Sequence, residues 1–215
     1  MNAIVTCGPS YEPVDQVRRL TNFSTGRLGV TLANHLALAG HGVVCLKGEQ
    51  ATYAGIPEAA RHHVFSTNDN LASRLEALSR AERFDAVFHA AALCDYQVAG
   101  VTRLDGTPVA ASKIPSREGD LLLRLRPAAK ILPQLRNWFP NARIVGWKYE
   151  LEGTAEAAFA HAWRQIAEAR TDGCVLNGAA YGPGFAFCHA RGRVELWNGL
   201  PELCAGLQQW LEPAR

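Results

Sequence analysis

Phe84-Asp85-Ala86-Val87-Phe88-His89-Ala90-Ala91-Ala92 is an almost unbroken apolar run in a chain of 215 residues. A strand with apolar side chains on both faces belongs in the middle of a parallel sheet covered by helices on each side. The neighbouring segments alternate as such a sheet requires. Residues 3–6 read as a first strand and 25–39 as a helix with Leu28, Leu32 and Leu36 on one face. A short buried strand follows at 43–46 and another strand at 63–66. Asn68 can cap the next helix, which runs to residue 80 with Leu71, Leu75 and Leu78 as its stripe. Beyond the 84–92 run, strands are expected at 120–126, 143–147 and 173–177. Pro127 is expected to open a helix that Pro133 kinks or restarts before Trp138, and longer helices at 154–170 and 200–211 follow. Residues 185–188 and 193–197 read as a hairpin. The sum is an α/β fold: a three-layer, doubly wound, mostly parallel, Rossmann-like sheet with a small β appendage and a flap inserted at about 94–120. No repeat or linker breaks it, so a single α/β domain over 1–215 is expected.

One connection is out of proportion. Cys7 to Phe23 separates the first strand from its helix, and it is rich in Pro, Glu, Asp and Arg. Such turns ordinarily take roughly two to six residues, and long ones in compact domains tend to bind something. The excursion ends in Asn22-Phe23-Ser24-Thr25-Gly26, whose hydroxyls and amides face the positive end of a helix dipole. Ser24 and Thr25 also serve as plain helix caps, and Asn22 as a plain turn residue. Three polar clusters fall at expected strand ends on one face of the sheet: 8–29, 90–96 and 177–184.

The bulk composition excludes several partners. A net charge of +2 points to neither nucleic acid nor a membrane surface. No apolar run reaches the ~18 residues of a membrane span. The first strand begins at about residue 3, which leaves no leader and no room for a further domain before it, so the cytoplasm is the expected compartment. Six cysteines, without a CxxC pair, read as reduced and buried. Of the 22 basic residues only Lys47, Lys113, Lys130 and Lys148 are lysines. The fold's default, a nicotinamide oxidoreductase, is disfavoured: Cys7-Gly8-Pro9-Ser10 is no GxGxxG turn and no Tyr-x-x-x-Lys pair exists. No Walker lysine or nucleophile triad is present, and the His62-His63 pair reads as surface rather than metal site.

Val5-Thr6-Cys7-Gly8-Pro9-Ser10-Tyr11-Glu12-Pro13-Val14-Asp15-Gln16-Val17-Arg18, then Leu20-Thr21-Asn22-Phe23-Ser24-Thr25-Gly26, resembles the opening of the phosphopantothenoylcysteine synthetase (phosphopantothenate–cysteine ligase) family. That opening reads Gly-Pro-Thr-x-Glu-x-Ile-Asp-x-Val-Arg-x-Ile-x-Asn-x-Ser-Ser-Gly; the family forms the second half of the bacterial coenzyme A flavoprotein fusion. Ala90-Ala91-Ala92-Leu93-Cys94-Asp95-Tyr96 resembles its Ala-Ala-Ala-Val-x-Asp-Tyr, Lys113-Ile114 its Lys-Ile-Lys-Lys flap, and Val145-Gly146-Trp147 its Val-Gly-Phe. The resemblance implies a ligase, Mg²⁺-dependent and using CTP (or ATP), that activates 4'-phosphopantothenate as an acyl-nucleotide and captures it with cysteine.

It also implies site residues. Asn22 would hold the acyl-nucleotide, and Lys113, on a mobile flap, would close over the phosphates. Arg18 would bind phosphopantothenate, with Ala91 and Ala92 beside it. Gly8, Ser10, Ser24, Thr25, Gly26, His89, Ala90, Ala91, Asp95, Lys130, Ile131, Trp147, Arg164 and Arg170 complete the expected nucleotide set. Asp95 would read the base's amino group, while His89, Ala90 and Ala91 would offer backbone contacts. No metal ligand is assigned. A homodimer is implied too.

The departures from the family cluster around the triphosphate. Pro115-Ser116 replaces the flap's paired lysines, Lys130 stands where the family has an acid, and Trp147-Lys148-Tyr149-Glu150 replaces Phe-Ala-Ala-Glu. Two phosphate-contacting helix lysines become Gln165 and Ala169, each beside an arginine, Arg164 or Arg170. Two alternatives therefore stay open: a relative activating another carboxylate, and a nucleotide-binding protein without catalysis.

Overall fold

β1 (Asn2–Cys7) is buried on both faces from its second residue, and it is central because the strands on each side pair with it in parallel. The computed structural model describes residues 1–58, 61–117 and 119–212. After β1 the chain forms β2 (Tyr11–Pro13) and β3 (Arg19–Thr21), then α1 (Arg27–Leu38), β4 (Gly42–Gly48) and β5 (Arg61–Phe65). α2 (Asn68–Ala81) leads to β6 (Ala86–His89), then β7 (Tyr96–Arg103), β8 (Leu121–Pro127) and α3 (Leu132–Trp138). β9 (Arg143–Tyr149), α4 (Ala155–Ala169), β10 (Gly173–Gly178), β11 (Gly182–His189), β12 (Val194–Trp197) and α5 (Leu200–Leu211) complete it.

Eight strands make the main sheet in the order β12-β11-β10-β9-β6-β1-β4-β5. The six from β5 to β10 run parallel, and β11 and β12 extend that edge antiparallel. The expected appendage is thus a continuation of the sheet. Strand alternation sorts the core into two faces. Val5, Cys45, Phe88 and Val145 pack with α1 and α5, whereas Ile4, Val44, Val87 and Ile144 pack with α2 and α3. α4 covers Cys174 and Leu176 on the latter side. The chain leaves β5 at one edge and re-enters beside β1 as β6, so the strand order reverses between β1 and β6. Ligands bind such sheets in the crevice beyond the strand ends at this reversal.

Four expectations change. The 7–23 excursion is a hairpin: Tyr11 pairs with Thr21 and Pro13 with Arg19. The expected strand at 84–92 shortens to β6, because the alanines after it turn their amides onto the loop that follows β1. The flap is largely a two-stranded ribbon, β7 against β8, and residue 118 within it lies outside the described residues. Pro127 ends β8 instead of opening a helix. Pro133 stands in the first turn of α3, where its missing N–H leaves no hydrogen bond unmade. All six cysteines are free and buried.

Candidate nucleotide and substrate site

The residues after β6 are sewn to the loop after β1 by their backbone. Ala90 N donates to Thr6 O and Ala92 N to Gly8 O, both at 3.0 Å, and Ser10 N donates back to Ala92 O at 3.2 Å. Cys94 N donates to Ser10 Oγ at 2.8 Å. Ser10 is therefore fully buried, and its backbone and hydroxyl hold the two loops together. Since the amides of Ala90 and Ala92 are engaged, the backbone groups left to a ligand are chiefly carbonyls, which suit an amino group.

Below this turn, Thr6 Oγ1 lies 2.8 Å from His89 Nδ1 and accepts weakly from Ala91 N at 3.4 Å. If the Thr6 hydroxyl receives one hydrogen bond and donates the other, the imidazole proton resides on Nε2. Burial pushes the His89 pKa down to about 4, so the ring is neutral at pH 7.

A cavity of about 400 Å³ opens beyond the ends of β6 and β9, roofed by α3 and α4. It is large enough for a nucleotide. His89, Ala91, Asp95, Lys130, Ile131, Trp147 and Arg164 of the expected nucleotide set line it. Lys130 and Asp95 form a close ion pair at its mouth. Arg170 does not line it: this residue, the left-handed cap of α4, donates to Asn137 Oδ1 at 2.7 Å on the α3 side. Of the two arginines proposed to replace helix lysines, only Arg164 faces the cavity. The positions of those lysines, Gln165 and Ala169, also line it.

Asn68, Lys148 and His161 line the cavity without having been singled out for it. Thr67, not Asn68, caps α2, accepting from Asn70 N at 3.2 Å. That frees Asn68 Nδ2 to donate to Cys94 O at 2.8 Å and leaves its buried Oδ1 without a partner among the described residues. Nothing in the local sequence distinguishes it from an ordinary first-turn residue. Lys148 did carry a signal, being one of four lysines and placed at the end of a strand.

The other expected residues gather on the hairpin side. None of Gly8, Ser10, Ser24, Thr25 or Gly26 lines the cavity. Gly8 and Gly26 both have a φ of 77°, which favours glycine. A Cβ on Gly8 would meet the Ala51 methyl at 2.8 Å, and one on Gly26 would meet it at 3.1 Å. These glycines let the segment after β4 pack over the start of α1, and Tyr53 N donates to Thr25 O at 2.9 Å. Thr25 Oγ1 accepts from Arg27 N at 3.2 Å, and Ser24 is half-buried nearby.

At the hairpin turn, Arg18 clasps Asp15 through Nε at 3.1 Å and Nη2 at 2.6 Å, and Nη2 also reaches Ile114 O at 2.6 Å. Asp15 accepts from Ile114 N at 3.0 Å and from the Val17 and Arg18 amides. The Ile114 amide first, then the Arg18 guanidinium, hold the Asp15 carboxyl well below the usual carboxylate range. Gln16 N donates to Ser112 O at 2.9 Å. The flap segment bearing Lys113 is therefore docked on this turn, and Lys113 itself is exposed outside the cavity lining.

Asn22 stands where β3 ends, and its Nδ2 donates to Leu93 O at 2.9 Å; Leu93 lines the cavity. Asn22 and Lys113 thus attach to opposite ends of one hairpin. The four residues from Arg18 to Asn22 span about 13 Å when extended.

A family model describing the DNA/pantothenate metabolism flavoprotein C-terminal domain matches residues 1–199. The chain belongs to that family. The coenzyme A biosynthesis bifunctional protein CoaBC of Thermococcus kodakarensis is 28% identical over 178 residues, covering 81% of this chain and 40% of that protein. A cysteine/cysteine sulfinic acid decarboxylase of an unknown prokaryotic organism is 28% identical over 195 residues, covering 89% of this chain and 49% of that protein. The chain therefore spans less than half of each of these relatives. The crystal structure of the DNA/pantothenate metabolism flavoprotein from Streptococcus pneumoniae superposes with a TM-score of 0.85, at 20% identity and 98% coverage of both chains. This family member shares the doubly wound fold of that protein. Among its described residues, no helix is long and apolar enough to cross a membrane.

Proposed function

We propose that the chain joins 4'-phosphopantothenate to cysteine through an acyl-nucleotide, a step of coenzyme A biosynthesis. The contact between Asn22 and the Leu93 carbonyl carries this reading, because it ties the amide expected to hold the intermediate to a residue that lines a nucleotide-sized cavity. Family membership supports it. In the first step a carboxylate oxygen attacks the α-phosphorus of CTP or ATP, the bond to the bridging oxygen breaks, and pyrophosphate leaves. In the second the amine of cysteine attacks the acyl carbon, the nucleoside monophosphate leaves, and the nitrogen loses a proton to solvent. Asn22 fixes the acyl-phosphate while the amine approaches. Asp95 and the Ala90 and Ala91 carbonyls are acceptors, and they suit the amino group of cytosine and adenine alike.

Magnesium fits as a companion of the triphosphate. Among the described residues no three ligating side chains cluster. The cavity carboxylates are Asp95, which faces Lys130, and Glu168, which would hold the ion beside phosphate oxygens. The ion would supply charge neutralisation on those oxygens. Reduced thiols suit the cytoplasm as the place of this chemistry.

The test is pyrophosphate release from CTP and from ATP, with and without phosphopantothenate and cysteine. Cysteine-dependent product supports the ligase, and release with another acid supports a divergent relative. Binding without turnover would leave a non-catalytic nucleotide binder. Lys113→Gln is expected to lose more than about tenfold in rate, or about 1.4 kcal/mol of transition-state stabilisation. Unchanged pyrophosphate release would reduce the 112–114 segment to a surface loop.

We also propose a homodimer formed through the β7–β8 ribbon. It leaves Leu122, Leu123 and Leu125 exposed by 53%, 36% and 42%, an apolar ribbon that a second copy can cover. Sedimentation equilibrium of the wild type should give twice the monomer mass, and Leu123→Asp with Leu125→Asp should give the monomer. A monomeric wild type would refute it.

A further inference from the structure

Side chains alternate along β9, so Ile144, in the core beneath α2 and α3, shares its face with Gly146 and Lys148. A Cβ on Gly146 would meet Gln165 Nε2 at 2.7 Å, so α4 closes down on the strand there. The next residue on that face, Lys148, is where the strand reaches the cavity. Three permanently cationic side chains line this space: Lys130, Lys148 and Arg164. Lys130 is tied to Asp95. Arg164 has no ion-pair partner among the described residues. Lys148 Nζ lies 3.3 Å from Glu150 Oε1, but His161 Nδ1 takes the same oxygen at 3.0 Å. One carboxylate is thus shared between two bases, and an ammonium with three donors keeps two for a ligand.

We propose that Lys148, opposite Arg164, binds the polyphosphate of the nucleotide, with Glu150 and His161 positioning it. The assignment rests on reading the cavity as a nucleotide site and gives that site the cation its polyphosphate needs. The strand contributes a second cation beside Arg164 of α4, whose neighbouring positions Gln165 and Ala169 present no charge to the same space. A polyphosphate carries several negative charges with many acceptor oxygens, and it is the ligand chemistry for which two convergent cations are suited. A nucleoside monophosphate bound by its base would feel this pair far less.

The test compares CTP and CMP binding by isothermal titration calorimetry in wild type, Lys148→Met and Lys148→Arg, with thermal melts confirming that each variant folds. Lys148→Met should weaken CTP by at least about tenfold while CMP stays within about twofold, and Lys148→Arg should recover most of the CTP loss. Parallel loss of CTP and CMP would assign Lys148 a structural role and overturn the proposal. So would unchanged CTP binding; in both cases the cavity would remain a nucleotide site. A wild type that binds neither nucleotide would overturn the nucleotide reading itself, and this assignment with it.

Discussion

Asn22→Asp is expected to slow capture of the acyl-nucleotide by cysteine by about 100-fold or more, the size of effect seen when one donor to a developing oxyanion is lost. Nucleotidyl transfer should fall far less. The reason lies in what the amide touches. Asn22 Nδ2 donates to the carbonyl of Leu93, a cavity-lining residue, and that bond orients the side chain. An aspartate would face that carbonyl with a carboxylate, without the donor, and would repel both the backbone oxygen and an acyl-phosphate. Activation depends mainly on phosphate charge being neutralised by cations, which the substitution leaves in place. Rapid-quench measurement of acyl-nucleotide formation and of its consumption by cysteine separates the two steps. Equal losses in both would refute the role given to Asn22.

The second large effect is on stability against pH. His89 has an ordinary value of 6.5 when unfolded and about 4 in the fold, where burial disfavours its charged form. Above pH 6.5 neither state holds the extra proton, and the group contributes no slope. Between 6.5 and 4 the unfolded chain binds a proton that the fold refuses, so stability falls as pH falls, by about 3 kcal/mol in total, and levels off below 4. His89→Gln lacks the titration. Urea unfolding of both proteins at pH 7.5 and 4.5 should show the wild type losing about 2–3 kcal/mol more than the variant over that interval. Glu12 acts with the opposite sign, since burial first and Asp69 second raise its pKa. That term is common to both proteins and cancels. Identical losses would mean that His89 is solvated enough to charge in place.

Much of the architecture was legible because hydrophobic period is a local property. The 84–92 run announced a central strand, and Leu28, Leu32 and Leu36 gave α1 its buried face. Errors arose where tertiary hydrogen bonds override local preference. The loop after β1 looked irregular because three-residue strands are too short for a period of two to show. Pro127 looked like a helix start because the ribbon partner that makes it a strand end lies some thirty residues earlier, at Tyr96. Among site residues, Asp95, Lys130 and Arg164 were legible as charged groups at strand ends or on a helix, and Arg170 was not separable from Arg164 until α3 was seen to claim it.

The sequence by itself determined the family, the doubly wound fold and the 5–26 and 90–96 motifs on which the ligase reading rests, since those are written in contiguous residues. Only the tertiary structure decided which charges share one volume. It placed Lys148 and Arg164 about a single cavity, tied Lys130 to Asp95, and committed Arg18 to Asp15 and Ile114. The physical reason is that a strand end, a helix face and a loop meet through packing between elements far apart in the chain. No local pattern of side chains encodes the distance between them.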